Sequence, residues 1–199
     1  AANLTQQMLA YSGRGRFVVT EIDLSELIGG IEELLRASIS KKASLKLNLA
    51  TDLPMVTGDA PQLQQVILNL VTNASEALGE RPGLISITTR LRECAAELLA
   101  KSVIVDQFTP GLFVELEIRD SGCGMNTAVQ QQLFEPFFST KFAGRGLGMS
   151  VVMGVVRGHK GAVLVSSQPE RGTSISVLLP LAITKPTLPQ PQLQRPTES

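Results

Sequence analysis

The sequence is poor in several residue types, and each scarcity excludes a class of protein. It has no tryptophan, one tyrosine, one histidine and two cysteines among 199 residues. Two cysteines far apart in the chain, Cys94 and Cys123, exclude a disulfide-bonded scaffold and a cysteine-based metal site. We therefore expect two ordinary buried thiols in a reducing, cytoplasmic setting. Basic and acidic side chains number 18 each, which excludes a general electrostatic attraction to nucleic acid or to an anionic membrane.

Long apolar runs are missing as well. No stretch approaches the length of a membrane span, and the first residues show no signal-peptide pattern. Apolar residues make up 43% and charged residues 18% of the chain, as is ordinary for a globular domain with a buried core. The sequence starts at Ala1 rather than at Met, so we expect a fragment of a longer protein. Membrane attachment of that parent protein is left open.

Apolar periodicity and capping residues predict helices in three places. The first helix begins at Asp23. Its apolar stripe consists of Leu27, Ile31, Leu34 and Leu35. The second begins after Asp59, a good N-cap whose capping box is completed by Gln62, and runs to about Leu78. The third covers residues 149–157, directly after a glycine-rich loop.

Alternation of apolar and polar residues predicts strands between these helices. They lie at residues 45–49, 84–89, 113–118, 162–166 and 173–179. Residues 92–110 form an insertion that we expect to hold a short helix and a loop. Because several strands are joined by turns of hairpin length, we predict a mixed, mainly antiparallel sheet covered by helices on one face. This is a two-layer α/β sandwich of the α+β class.

The first motif with chemical content is a pair of asparagines on the second helix. Asn69 and Asn73 are four residues apart, so their side chains project from the same face. An amide oxygen is a hard, neutral ligand suited to Mg²⁺, which shares its shell with phosphates and water. The alternative is that both amides are buried and satisfied by backbone hydrogen bonds.

The second motif is Asp120-Ser121-Gly122-Cys123-Gly124-Met125, which follows a strand directly. A carboxylate at Asp120 can accept a hydrogen bond from the exocyclic amine of adenine. Guanine would turn an acceptor toward it and leave a buried charge unpaired, at a cost of about 1–3 kcal/mol. Gly122 and Gly124 let the backbone approach a flat base without a Cβ clash. The alternative is a simple Asp-Ser-Gly turn.

The third motif lies at the start of the third helix. Its residues are Gly144, Arg145, Gly146, Leu147 and Gly148. Glycines there let successive backbone N–H groups face an anion, and the helix N-terminus adds its positive end. Lys141 and Arg145 are near enough in sequence to neutralise phosphate. The spacing is that of neither a P-loop nor the dinucleotide fingerprint, and a flexible loop is the alternative.

The segment between the second and third motifs is rich in phenylalanine. Four of the seven phenylalanines fall within residues 134–142, so their rings must be buried somewhere. The segment could pack in the core, or it could form a lid that repacks over a bound nucleotide, and the sequence does not decide between these alternatives.

Together these motifs resemble the ATP-binding domain of bacterial sensor histidine kinases. The resemblance covers roughly residues 21–181 and includes Phe134-Glu135-Pro136-Phe137-Phe138 and Gly172-Thr173. It implies a Bergerat-type sandwich that binds ATP or ADP. Asn73 would be the Mg²⁺ ligand, Asn69 would lie near the phosphates, and Asp120 would hold the adenine amine. The remaining ATP-binding residues would be Gly122, Gly124, Lys141, Gly144, Arg145, Gly146, Leu147, Gly148 and Thr173.

The resemblance also implies a domain organisation and partners. Residues 1–17 would be the end of the second helix of a dimerisation and phosphoacceptor hairpin plus a linker, 18–182 the ATP-binding domain, and 183–199 a proline-rich tail. The partners would be that hairpin and the receiver domain of a response regulator. The intact protein would be a homodimer and the fragment a monomer. The sequence of residues 141–161 most resembles that of hybrid kinases with PAS sensors.

Two departures refine the expected activity. Related gyrase and chaperone ATPases carry a water-activating Glu at the position of Asn69, and an amide cannot act as a general base. The pocket should therefore hold ATP for transfer to a histidine. The chain contains only His159, for which we expect a structural role, so the fragment should bind nucleotide without phosphorylating itself. The alternatives are a nucleotide-driven clamp ATPase, and a switch module or serine kinase of the same superfamily.

Overall fold

A computed structural model of the chain describes residues 18–104, 106–135 and 147–182. Several sequence predictions fall outside these ranges. They concern the helix end and linker at residues 1–17, the phenylalanine-rich segment from 136 on, Lys141, Gly144, Arg145, Gly146 and the proline-rich tail. The proposed domain boundaries also stay a prediction.

The described residues form strands and helices in an interleaved order. The strands are β1 Thr20–Ile22, β2 Ala43–Asn48, β3 Val56–Gly58, β4 Gly83–Cys94, β5 Gly111–Asp120, β6 Ala162–Ser167 and β7 Thr173–Pro180. The helices are α1 Leu24–Gly30, α2 Glu32–Ser38, α3 Ala60–Leu78, α4 Ala96–Leu99, α5 Thr127–Gln132 and α6 Gly148–Gly158.

The main sheet is mixed and mainly antiparallel, as predicted. Its strand order is β2-β4-β5-β7-β6, and only the β2–β4 pair is parallel. Strands β1 and β3 form a separate antiparallel pair. On β5 the side chains of Val114, Leu116 and Ile118 join the main core, which also contains the buried faces of α3 and α6. These helices therefore cover one face of the sheet, and the two-layer sandwich is confirmed.

Helix α3 is the longest helix and lies against β5, β4 and α6. The Asp59 carboxylate caps it by accepting from the Gln62 N–H at 3.1 Å, and Pro61 occupies the first turn, where a missing N–H costs nothing. The helix ends at Gly79, whose φ is +61°. Its buried stripe is Leu63, Val66, Ile67, Leu70, Val71, Ala74, Ser75 and Leu78.

The helix expected from Asp23 differs from the prediction. Asp23 caps it as expected, through the N–H groups of Ser25 and Glu26, but the helix breaks at Ile31 into α1 and α2. Two glycines precede the break, and glycine is a poor helix former. In the second half, the expected stripe residue Leu34 is 52% exposed, while Leu35 is buried.

Some short elements were not predicted, and some predicted boundaries were wrong. Strands β1 and β3 have three residues each, and helix α5 has six, which is too few for a periodic signal to emerge. Strand β4 extends to Cys94, into the region taken for an insertion. The expectation of two buried thiols holds for Cys94 and is wrong for Cys123, which is exposed.

The other face of the sheet is partly covered by residues 95–104 and 106–110. A second, smaller cluster of buried side chains lies there, made of Cys94, Leu99, Phe113, Ala162 and Leu178. The Val103 N–H donates to the Val163 carbonyl at 2.9 Å, so this segment also covers part of the outer edge of β6.

Beside that cluster lies a buried carboxylate held by two guanidinium groups. Glu115 is fully buried, with its oxygens 2.6 Å from Arg90 Nε and 2.7 Å from Arg92 Nη1. Burial alone would raise the pKa of the Glu115 carboxyl. Hydrogen bonds from Arg90 and Ser176 and the positive charges of both arginines outweigh it and hold the pKa below its usual value.

Candidate functional site

The asparagine pair lies on the face of α3 that meets the start of α6. The Asn69 Nδ2 donates to the Gly148 carbonyl at 3.2 Å, and the Asn69 Oδ1 accepts from Gln65 Nε2 at 3.0 Å. Both ends of the Asn69 amide are therefore engaged. The contact brings the first motif and the end of the third motif together.

The second motif packs against the other end of the same helical face. Ala77 lies eight residues beyond Asn69, about 12 Å along the axis. Its carbonyl accepts from the Cys123 N–H at 3.1 Å. A Cβ on Gly122 would lie 2.6 Å from that carbonyl oxygen, so only glycine allows the loop to lie this close to the helix.

The loop is held on its other side by the turn between β6 and β7. The Glu170 N–H donates to the Cys123 carbonyl at 2.7 Å. Gly124 has φ +62°, and a Cβ there would lie 1.9 Å from the Gln168 carbonyl oxygen. Main-chain contacts on two sides thus fix the path of the second motif, which is what a surface that reads a flat base requires.

Asp120 is placed at the C-terminal end of β5, on the helix-covered face. It is 6% exposed, and its Oδ1 accepts from the Gly122 N–H at 2.7 Å. Thr173, the first residue of β7 and 8% exposed, is its direct partner across the strands. Directly opposed residues of an antiparallel pair share a face, so the side chains of Asp120 and Thr173 are neighbours on the helix-covered face.

The same row continues to Ser167 at the end of β6, which pairs with Thr173. The Ser167 Oγ accepts from the Met125 N–H at 2.8 Å and donates to the Gly172 carbonyl at 3.1 Å. It also lies 2.9 Å from the Thr173 Oγ1. The sequence analysis missed Ser167, because the only available signal is the strand register that sets it opposite Thr173.

Gln130 links helix α5 by hydrogen bonds to the row formed by Asp120, Thr173 and Ser167. Its Nε2 donates at 3.0 Å both to the Met125 carbonyl and to the Ser167 carbonyl. The side chain therefore joins the end of the second motif to strand β6. It too was missed, since nothing in the local pattern separates Gln130 from its neighbours Gln131 and Gln132.

Asn73 lies on α3 one turn from Asn69 and one turn from Ala77, so it occupies the interval between the two loops. It is half-buried. Among the residues that the structure describes, no group of three or more His, Cys, Asp and Glu side chains could hold a metal ion. A single amide oxygen fits Mg²⁺ that takes its other ligands from phosphates and water.

Leu147 and Gly148 begin helix α6 beside Asn69. The N-cap is Leu147, whose apolar side chain makes no capping hydrogen bond. An apolar N-cap leaves the first N–H groups of a helix to other partners, and anions are suitable ones. Gly144, Arg145, Gly146 and Lys141 lie outside the described residues, so their predicted roles stay predictions.

His159 follows α6 and contacts the start of α3. It is 6% exposed, with Nδ1 2.8 Å from the Val155 carbonyl and Nε2 accepting from the Asp59 N–H at 3.0 Å. These contacts confirm its structural role. They also correct the predicted capping box, because His159 rather than Gln62 accepts from the Asp59 N–H.

Both ends of α6 are thus linked to α3, one to its start and the other to its middle. His159 lies beside Asp59, and Gly148 lies beside Asn69, so the two helices run antiparallel.

None of the helices in the described ranges is both long enough and apolar enough to cross a membrane.

Comparison with known proteins agrees with this geometry. Residues 58–183 match the family of Histidine kinase-, DNA gyrase B-, and HSP90-like ATPases. The sensor kinase CckA of Brucella abortus (strain 2308) is 34% identical over 185 residues, which cover 92% of this chain and 19% of that protein. Across eight curated relatives the chain spans between 13% and 46% of their length.

Solved structures give the same result. A mycobacterial sensor histidine kinase, MprB, superposes with a TM-score of 0.62 at 27% identity, over 82% of this chain and 98% of that one. The histidine kinase ThkA, in complex with the response regulator protein TrrA, gives a TM-score of 0.62 at 25% identity, over 90% of this chain and 47% of that one. The chain therefore belongs to the Histidine kinase-, DNA gyrase B-, and HSP90-like ATPase family, and within it corresponds to the catalytic ATPase domain of sensor histidine kinases.

Proposed function

We propose that this chain binds Mg·ATP and holds the γ-phosphate for transfer to a histidine on an upstream helix of the parent protein. The observation that carries the proposal is the meeting of the motifs on one face of α3. Asn69 contacts Gly148 at one end, and Ala77 contacts the Asp120–Gly124 loop at the other. The interval of about 12 Å suits a nucleotide with its base at the loop and its phosphates toward α6.

In this proposal the loop end binds the base. Asp120 accepts a hydrogen bond from the adenine amine beside Thr173, and Gly122 and Gly124 let the backbone lie flat against the ring. Support comes from the burial of Asp120 and from the backbone contacts that hold the loop in place. A buried acceptor discriminates strongly against a base that presents another acceptor to it.

The α6 end binds the phosphates. Asn73 would hold Mg²⁺, which when bound neutralises phosphate charge, and the N–H groups after Leu147 and Gly148 would face the phosphate oxygens. Gly144, Arg145, Gly146 and Lys141 are proposed to complete this end on the strength of the resemblance alone. Transfer then rests on positioning and charge neutralisation, as is general for phosphoryl transfer.

Slow hydrolysis follows from the chemistry of Asn69. Its amide oxygen accepts from Gln65 and its amide nitrogen donates to Gly148, so it can neither take a proton from water nor turn to orient one freely. This favours storage of ATP over the clamp ATPase alternative. The expected result is ATP bound stably until an acceptor histidine arrives.

The acceptor must come from elsewhere in the parent protein. His159 is the only histidine of the chain, and it is buried with both ring nitrogens within hydrogen-bond distance of backbone groups. We therefore propose an upstream dimerisation hairpin as the donor of the acceptor imidazole, a homodimeric parent, and a receiver domain as the next partner. The ThkA complex with a response regulator supports that last partner. A cytoplasmic location, where ATP is available, and a PAS-containing hybrid parent complete the proposal.

Calorimetric titration of ATP, with and without Mg²⁺, tests the proposal. Wild-type protein should bind ATP, Asp120→Asn should weaken binding about 100-fold, and Asn73→Ala should remove the effect of Mg²⁺. Glu117→Gln, on the other face of the sheet, is the matched control and should bind like wild type. A folded wild-type chain that binds no ATP would refute the proposal. Steady ATP turnover by the chain alone would favour the clamp ATPase.

A further inference from the structure

A row of polar side chains crosses three strands at the loop end of the site. Asp120, Thr173 and Ser167 are direct partners on β5, β7 and β6, all on the helix-covered face. The Ser167 hydroxyl is the junction of this row, because it contacts Met125, Gly172 and Thr173 within 3.1 Å. The protons of these contacts can be assigned by counting.

A serine hydroxyl has one proton and two lone pairs. The Met125 N–H can only donate, so it uses one lone pair of Ser167 Oγ. The Gly172 carbonyl can only accept, so it takes the Ser167 proton. The remaining contact, 2.9 Å to Thr173 Oγ1, must then be a hydrogen bond donated by Thr173 to the second lone pair.

This assignment fixes what Thr173 can offer to a ligand. Its proton is held by Ser167, so only its oxygen lone pairs are left for a third group. Asp120, its neighbour in the row, is an acceptor as a carboxylate. The two side chains together form an edge of acceptors, which matches a group that donates hydrogen bonds and repels one that accepts them.

We propose that Ser167 is a positioning residue that sets base selectivity, by holding the Thr173 hydroxyl as an acceptor beside Asp120. The inference rests on the proposed function and names the ligand chemistry of that site, a 6-amino purine in preference to a 6-oxo purine. Gly172 contributes to the same arrangement, because its carbonyl accepts the Ser167 proton. A Cβ there would lie 2.0 Å from the Asp120 carbonyl oxygen, and its φ is +81°, so the turn that orients its own carbonyl toward Ser167 requires glycine.

Affinities for ATP and for inosine triphosphate test this role. Inosine carries an oxygen where adenine carries the amine, so the ratio of the two affinities reports on the acceptor edge. In Ser167→Ala the Thr173 hydroxyl is released and can donate to that oxygen, and we expect the ratio to fall about tenfold. Ser166→Ala, an exposed neighbour on the same strand, is the control and should leave the ratio unchanged.

A double-mutant cycle adds a second measurement. If Ser167 acts through Thr173, then Thr173→Val should lower the ratio as well, and Ser167→Ala should add little on top of it. Thr173→Ser keeps the hydroxyl and should retain discrimination. This threonine series stays informative even if Ser167→Ala unfolds, because it tests the same acceptor edge.

The outcomes separate the two proposals. Wild-type protein that binds neither nucleotide refutes the proposed function itself. Wild-type protein that prefers ATP, with an unchanged ratio in Ser167→Ala or Thr173→Val, overturns the role of Ser167 and leaves ATP binding standing. A lower melting temperature with equal weakening of both nucleotides would show that the row is structural only.

Discussion

Strand β5 carries two buried carboxylates on opposite faces of the sheet, and their surroundings differ. Glu115 is bound by the guanidinium groups of Arg90 and Arg92 and is the cross-strand partner of Leu178 in the smaller buried cluster. Asp120 accepts from the N–H of Gly122 and lies in a row with the Thr173 hydroxyl. One carboxylate is paired with charged side chains, while the other binds a backbone N–H and is paired across the strands with a threonine.

The difference shows how one strand serves both stability and recognition. Two cations neutralise Glu115 within the protein, so its charge contributes to folding rather than to binding. Asp120 is positioned by a loop whose contacts with Ala77 and Glu170 are between main-chain atoms. These backbone contacts fix the position of the loop that follows this carboxylate.

The largest effect should come from breaking the backbone contacts of the recognition side. Gly124→Ala places a Cβ against the Gln168 carbonyl at φ +62°, and we expect a loss of about 4 kcal/mol in the free energy of unfolding together with loss of ATP binding. Gly79 has nearly the same φ, +61°, but open space around its Cβ position. Gly79→Ala should cost about 1–3 kcal/mol, since φ +61° with ψ −130° is unfavourable for alanine, and should leave ATP binding intact.

Urea denaturation and calorimetric titration of both variants measure this difference. Equal losses of stability in the two variants, with ATP binding retained in Gly124→Ala, would mean that the loop moves aside easily. The main-chain contacts would then not be what positions Asp120.

A smaller effect is expected on the stability side. Glu115→Gln keeps the shape but removes the charge between Arg90 and Arg92, and should lower the free energy of unfolding by about 2 kcal/mol. The arginines are 47% and 31% exposed, so water limits the cost. Glu117→Gln, whose side chain is 24% exposed and also contacts Arg90, should cost about 0.5 kcal/mol. Both variants should bind ATP within twofold of wild type. A larger loss of ATP affinity in either variant would mean that the Glu115 face is energetically coupled to the ATP site.

The smallest effect is the pH dependence of the same pair. The folded pKa of Glu115 lies below its ordinary value of 4.5, so its contribution to stability is complete above that pH and is lost as the pH falls through the folded pKa. The difference in unfolding free energy between wild type and Glu115→Gln should be constant above about pH 5.5 and shrink below pH 4.5. Chemical denaturation at several pH values measures it, and a difference that grows in acid would reverse the assigned direction of the shift.

The sequence predicted the long elements of the fold and the short helix α4, and it missed strands β1 and β3 and helix α5. Helix α3 and strands β5 and β7 are long and strongly patterned, so period and capping identified them. The break at Ile31 was not visible, because the apolar spacing continues across it. The burial of Glu115 was not visible either. That burial depends on arginines more than twenty residues away in the sequence.

For the candidate site, sequence reasoning found the residues of the motifs but not what holds them. Asn69, Asp120 and Gly148 were found from motif chemistry and from the resemblance. That Asn69 donates to the Gly148 carbonyl depends on the antiparallel packing of α3 and α6. The role of Ser167 depends on strand register, which a one-residue slip would reverse.

His159 is the only imidazole in 199 residues, and its ring lies within hydrogen-bond distance of Val155 and Asp59 backbone groups. Phosphohistidine is a phosphoramidate, stable in alkali and labile in acid, unlike the esters of serine and threonine. The chain alone should therefore form no phosphohistidine, and it serves as the negative control for histidine phosphorylation. Any acid-labile label that appears when it is mixed with γ-labelled ATP and a separate acceptor segment reports directly on transfer between the two.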